Sequence, residues 1–145
     1  MKRLALVRHG HAPSVLAAGV DSDSLRPLSG QGCEEVRQGA LLLRDYGVKF
    51  GLIAASPLLR ASQTAEILGE ILNVPVATLP ALDGSCGPAE VWKELLPSFG
   101  LYDALIAVGH QPIIGLLAGA LLKRPLLSFS PGDFALIAMG SDFDY

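Results

Sequence analysis

Residues 1–13 read MKRLALVRHGHAP. The apolar run Leu4-Ala5-Leu6-Val7 stops abruptly at Arg8, His9, Gly10 and His11. Such a run reads as a buried strand. A strand that hides from water does not finish on a guanidinium and two imidazoles without cause. Either a basic surface loop follows it, or the strand delivers these groups to an anion, with an imidazole poised to react.

Working outward, apolar runs alternate with helical patterns. Arg3–Val7 is the first strand. Ser29–Tyr46 is helical, with Cys33, Val36, Ala40 and Leu43 on one face, Ser29 as N-cap and Gly47 as stop. Leu52–Ala55 is a short strand. Ser56-Pro57 starts a helix, Ser as N-cap and Pro at the first position, carrying Leu58, Ala61, Ala65, Leu68 and Leu72 on one side. Val76–Leu79 is a further strand, and Ala89–Leu96 a helix ended by Pro97. Leu105–Val108 is a strand, and Pro112 opens a helix to about Lys123. Phe134–Met139 is the last strand, after the turn Ser130-Pro131-Gly132-Asp133. This alternation predicts a three-layer α/β/α sandwich with a mostly parallel central sheet.

The 145 residues fit one domain, 1–145. Half the residues are hydrophobic and 17% charged, enough for a core and too little charge for disorder. A net charge of −3 argues against nucleic-acid or anionic-membrane binding, so any positive site is local. Two cysteines, Cys33 and Cys86, form no pairable framework and fit a reducing cytoplasm. The apolar stretch after Lys2 and Arg3 is too short for a signal peptide. Ala104–Leu122 is long enough to span a bilayer. However, Gly109-His110-Gln111-Pro112 lies near its middle, so a buried strand, a polar turn and a buried helix account for it better.

Three of the strands run into polar turns bearing basic residues: Arg8 and His9, then Arg60 beyond Ser56-Pro57, then His110. In open α/β sheets, ligands bind beyond the carboxyl ends of the strands. A parallel sheet brings these ends to one edge. A cation in the first turn of a helix, as at Arg60, opposes the macrodipole unless an anion sits there too. Each residue has a plainer reading: Arg60 in solvent, His110 as a core or cap histidine, His11 as a mere neighbour. Together they favour a phosphoryl group, whose oxygens match guanidinium forks. Flanking arginines and the lack of HxxxH or Cys/His spacing speak against a metal. No GxxxxGK[ST] loop or GxGxxG is present.

LVRHGHA (6–12), ASPLLRASQTAE (55–66) and AVGHQP (107–112) resemble, in order, the RHG motif and the second and third motifs of the histidine phosphatase superfamily, the phosphoglycerate-mutase-like fold. The chain's shortness and DSDSLRPLSGQGCEE (21–35) are similar to the short bacterial phosphohistidine phosphatases of the SixA type. The resemblance implies a metal-independent phosphatase without cofactor, in which His9 is the transiently phosphorylated nucleophile. Arg8, Arg60 and His110 would bind the phosphoryl oxygens, in keeping with chemistry that needs positioning and charge neutralisation. Its substrate would be phosphohistidine on a protein such as a phosphotransfer domain, with His11 and Arg26 as candidate contacts; Arg26 reads equally as a solvated loop charge. The competing readings are a phosphomonoesterase acting on a small metabolite and a non-catalytic phospho-ligand binding module. Two imidazoles at the site speak against the latter.

One region departs from the superfamily pattern. Ester-cleaving relatives are expected to carry a carboxylic acid, typically Glu, after the third strand. Here residues 79–94 read LPALDGSCGPAEVWKE. Asp83 is the nearest carboxylate and the candidate general acid, with Glu90 and Glu94 on the following helix. Asp83-Gly84 is equally a favoured turn pair.

Overall fold

A computed structural model describes residues 2–140. Residues 1 and 141–145 of the expected domain lie outside the described residues. The elements are β1 (Lys2–Arg8), α1 (Val15–Ala18), α2 (Gly30–Asp45), β2 (Leu52–Ala55), α3 (Leu59–Leu72), β3 (Val76–Thr78), α4 (Pro88–Phe99), β4 (Ala104–Gly109), α5 (Ile113–Leu121) and β5 (Phe134–Met139). Short 3-10 turns occupy Asp23–Leu25 and Pro80–Asp83.

The five strands form one sheet in the order β3-β2-β4-β1-β5. β4 is buried at every residue, as its unbroken apolar run requires. It pairs in parallel with β1 on one side and β2 on the other, and β2 pairs in parallel with β3. Only β5 runs antiparallel, against β1. The sheet is therefore mostly parallel, as expected.

Alternation along the strands divides the core. Leu4, Leu6, Leu105 and Ala107 face α4 and α5, among Val91, Trp92, Leu95, Phe99, Ile114 and Leu117. Ala5, Val7, Ile53, Ile106 and Val108 face α2 and α3, among Val36, Ala40, Leu43, Ala61, Ala65 and Leu68. Helices thus cover both faces. The apolar stretch at 104–122 resolves into β4, a turn and α5, and no helix among the described residues is long and apolar enough to cross a membrane.

Three helices are bounded differently from the sequence reading. α3 begins at Leu59 with Leu58 as N-cap; Ser56 lies before it, its hydroxyl accepting from Leu58 N–H at 3.2 Å and bonding to His110. α4 runs through Pro97 to Phe99. A proline this near the C-terminus removes only one backbone bond. Burying Phe99 against Trp92, ring centroids 5.9 Å apart, offsets that loss. Pro112 is the N-cap of α5, and that helix ends at Leu121.

The N-terminus of α2 packs directly on the chain leaving β1. Ser29 caps the helix, accepting from Gly32 N–H at 2.9 Å. A Cβ on Gly10 would sit 2.7 Å from the Gly32 carbonyl oxygen, and one on Gly32 would collide with the His11 backbone. Gly32→Ala is expected to destabilise the fold by about 1–3 kcal/mol, read as a lower urea midpoint at constant m. Gly30→Ala, where nothing lies within 4 Å, serves as control and should not lower the midpoint. Equal midpoints for the two variants would contradict the close packing.

Candidate active site

The strand register assembles the site. Arg8 stands opposite Gly109, and Ala55 opposite Val108. The next residues along these chains, His9, His110 and Ser56, therefore emerge together at one edge. Backbone bonds continue the pairing past the strands: His9 N–H donates to Gly109 O at 3.1 Å, and Ser56 N–H to Val108 O at 3.0 Å.

Arg8 is held from the far end of the chain. Its Nη1 donates to the Phe129 carbonyl at 2.8 Å. Gly132 N–H donates to the carbonyls of both Arg8 and His9, at 3.1 and 3.0 Å. His9 is 9% exposed. Its Nδ1 lies 2.7 Å from the Gly10 carbonyl. A carbonyl can only accept, so Nδ1 carries the hydrogen and Nε2 the lone pair.

Arg60, in the first turn of α3, is 7% exposed. Its Nη1 donates to the Asp23 carbonyl at 2.9 Å and its Nη2 to Asp23 Oδ2 at 3.0 Å. Thr64, one turn on, ties α3 to the loop after β1: its hydroxyl donates to Arg60 O at 2.8 Å and accepts from Gly10 N–H at 3.2 Å.

His110 is as buried as Arg60, and its Nε2 bonds with Ser56 Oγ at 2.7 Å. The rings of His9 and His110 have centroids 5.0 Å apart. Among the described residues, the buried side-chain nitrogens with no hydrogen-bond partner are Arg8 Nε, Arg60 Nε and His110 Nδ1. An unpaired buried donor is costly; an anion with several oxygens would satisfy such donors.

Both imidazoles are held neutral. Burial lowers the His9 pKa to about 4, with Arg60, Arg8 and Arg26 adding to the effect against the opposing Gly10 bond. Burial likewise lowers His110 to about 4, helped by His9 and Arg60 and opposed by Asp23 and Asp83. The edge thus presents guanidinium charge beside an uncharged imidazole with a free lone pair. That pairing suits nucleophilic attack on a bound anion.

The remaining candidates have hydrogen-bond partners of their own. His11 Nδ1 bonds Ser29 Oγ at 2.7 Å, and its N–H donates to Glu35 at 3.1 Å, joining it to the start of α2. Arg26 donates to the carbonyls of Pro13 and Ala12 and to Asp23 Oδ1, at 2.8, 3.1 and 2.9 Å. Asp83 closes a turn before Gly84 (φ 97°), accepting from both the hydroxyl and the N–H of Ser85, at 2.6 and 2.8 Å. These bonds, the hydroxyl's first, hold its carboxyl below the usual range. Asp83 also lines a groove of about 350 Å³ with Leu79, Cys86 and Glu94. A wider groove of about 750 Å³, between α2 and the 130–134 turn, includes none of Arg8, His9, Arg60 or His110.

Sequence reasoning did not place Ser56, Thr64 or Asp23 at the site. Thr64 follows Arg60 by one helical turn, a usable signal; Asp23 has none. No group of three or more His, Cys, Asp or Glu side chains among the described residues could hold a metal ion.

Residues 4–94 match the family model of the Histidine phosphatase superfamily (branch 1). The chain is 36% identical over 120 residues to phosphohistidine phosphatase SixA of Escherichia coli (strain K12), covering 80% of this chain and 71% of that protein. It is 32% identical over 81 residues to the adenosylcobalamin/alpha-ribazole phosphatase of the same strain, covering 56% of this chain and 39% of that one. The solved structure of protein histidine phosphatase SixA complexed with tungstate superposes with a TM-score of 0.84 at 30% identity, covering 94% of this chain and 88% of that one. With the family model, the identity to SixA and the fold in agreement, this chain belongs to the histidine phosphatase superfamily.

Proposed function

We propose that the chain hydrolyses phosphohistidine on a protein through a phospho-His9 intermediate. The observation that carries this reading is that Arg8 Nε, Arg60 Nε and His110 Nδ1 are buried without partners, on residues whose charge or ring acts on a His9 imidazole with a free Nε2. The His9 lone pair attacks phosphorus while the bond to the substrate nitrogen breaks, and that nitrogen keeps the electron pair. Arg8 and Arg60 balance the charge on the equatorial oxygens. In this reading the Ser56 hydroxyl, which accepts from Leu58 N–H, gives its own hydrogen to His110 Nε2. That leaves the ring hydrogen on Nδ1 for a phosphoryl oxygen. Water then displaces His9 from phosphorus, and inorganic phosphate leaves.

Likeness to SixA supports the substrate class, and Asp83 supports it independently. An alkoxide leaving group needs a proton, typically worth 10²–10⁴-fold, and a carboxyl held low is a poor source of one. An imidazole leaves far more readily. Likeness to the alpha-ribazole phosphatase favours the second reading, a phosphomonoesterase on a small metabolite. A panel of phosphohistidine, an aryl phosphate and sugar phosphates, assayed in EDTA, separates the two.

His9→Ala should abolish turnover without loss of fold. Brief incubation of the wild type with labelled substrate should trap an adduct that acid releases and alkali spares, as for a phosphoramidate. An alkali-labile adduct would refute the mechanism.

Acidity provides a second check. Histidine in the unfolded chain protonates near 6.5, whereas folded His9 and His110 wait until about 4. Stability contributed by the two neutral rings is therefore complete above about pH 6.5 and falls as pH drops toward 4. The Cε1–H resonance of His9, assigned through His9→Gln, should keep its neutral position at pH 5.5. Titration near 6.5 would contradict the buried, cation-flanked geometry.

Asp83→Asn should slow hydrolysis of a sugar phosphate by far less than the 10²–10⁴-fold that loss of a general acid typically costs, because a carboxyl held low supplies little of that proton. A loss of that size would make Asp83 structural or a general acid, and would remove this support for phosphohistidine.

A further inference from the structure

Asp23 is an unexpected neighbour for an arginine assigned to a phosphoryl group. Its side chain is 59% exposed, yet its carboxylate bridges two guanidiniums, Oδ2 to Arg60 and Oδ1 to Arg26. Its main-chain carbonyl accepts from the other terminal nitrogen of Arg60. One residue therefore engages both Nη atoms of Arg60, and Arg60 Nε is left buried without a partner. The carboxylate is itself anchored, because Arg26 is fixed to the carbonyls of Ala12 and Pro13 in the chain leaving His9.

The pair joins a buried guanidinium to a carboxylate that faces water, and solvent screening of the carboxylate limits what the pair adds to stability, so stability alone is a weak reason for this arrangement. Two functional roles remain. The carboxylate could compete with the substrate's anion for Arg60, or it could set the direction in which Arg60 donates. A competitor would take up the donor that faces the anion. Here the carboxylate takes Nη2, the adjacent backbone takes Nη1, and Nε is the donor left over. A guanidinium is a rigid planar fork, so fixing its Nη edge fixes Nε–H.

We propose that Asp23 is a positioning residue for Arg60, holding its terminal nitrogens so that Nε–H is presented to the phosphoryl oxygens; this rests on the phosphatase reading of the site. The test compares wild type, Asp23→Ala, Asp23→Asn, Arg60→Ala and the double variant Asp23→Ala/Arg60→Ala, with urea midpoints as folding control. kcat and KM are measured on phosphohistidine and an aryl phosphate, with inhibition by inorganic phosphate. Asp23→Ala should lower kcat/KM roughly 10-fold, the low end for hydrogen bonds to a charged group. Asp23→Asn should recover most of that, since the amide oxygen still accepts from Nη2. In the Arg60→Ala background, Asp23→Ala should cost less than about twofold, as expected when one residue acts through the other. Equal losses in both backgrounds would overturn the proposal, as would unchanged activity in Asp23→Ala. Tighter inhibition by phosphate in either Asp23 variant would also overturn it, marking the carboxylate as a competing anion. A wild-type chain that neither turns over these substrates nor is inhibited by phosphate would instead overturn the reading of the site, and the proposal with it.

Discussion

The in-register parallel pairing of β4 with both β1 and β2 is the constraint on which the rest depends. Side chains alternate along a strand, so a slip of one residue would turn Leu4 and Leu6 toward the wrong helices. It would also move Arg8 away from Gly109 and carry His9 out of line with His110. The apolar pattern that packs α4 and α5 on one face and α2 and α3 on the other therefore also sets the ends of the strands. Core and site are two readings of one register, and no separate device is needed to bring residues 9, 56 and 110 together.

Electrostatics at this edge runs against the chain's overall balance. The protein is acidic as a whole, yet Arg8, Arg60 and Arg26 all act on His9. They bring opposing consequences. Cationic neighbours and burial keep the imidazole uncharged, so its lone pair is always available, but the same influences make it a weaker base. A bound dianion would relieve much of that, because it cancels the guanidinium field where the new bond forms. Affinity and reactivity would then rise together when the anion arrives.

Much of this was legible in the sequence, for definite reasons. β2 and β5 appear where their apolar runs predict, and Arg8, His9, Arg60 and His110 could be picked out because apolar runs stop abruptly before charge. The failures share a cause. Ser56-Pro57 has the form of a helix start, but a tertiary partner, His110, takes the hydroxyl. Pro97 has the form of a stop, but burial of Phe99 carries the helix past it. Asp23 reaches Arg60 across 37 residues and Phe129 reaches Arg8 across 121. Contacts at such separations leave no local pattern, so the residues that orient the arginines stay hidden while the arginines themselves stand out.

The dependence of Arg8 on Phe129 and Gly132 also bears on how the protein is made. Synthesis runs from the N-terminus, and four of the five strands precede residue 110. A nascent chain at that stage can pair β3, β2, β4 and β1, but β1 is then an open edge, available to other chains. Its last guanidinium has no carbonyl to hold it, and its final carbonyls lack the Gly132 N–H. Arrival of the 129–139 segment closes the edge and fixes the arginine in one event. Protection from edge-to-edge association and full assembly of the anion-facing edge are thus reached at the same moment, once residues 129–139 have been made.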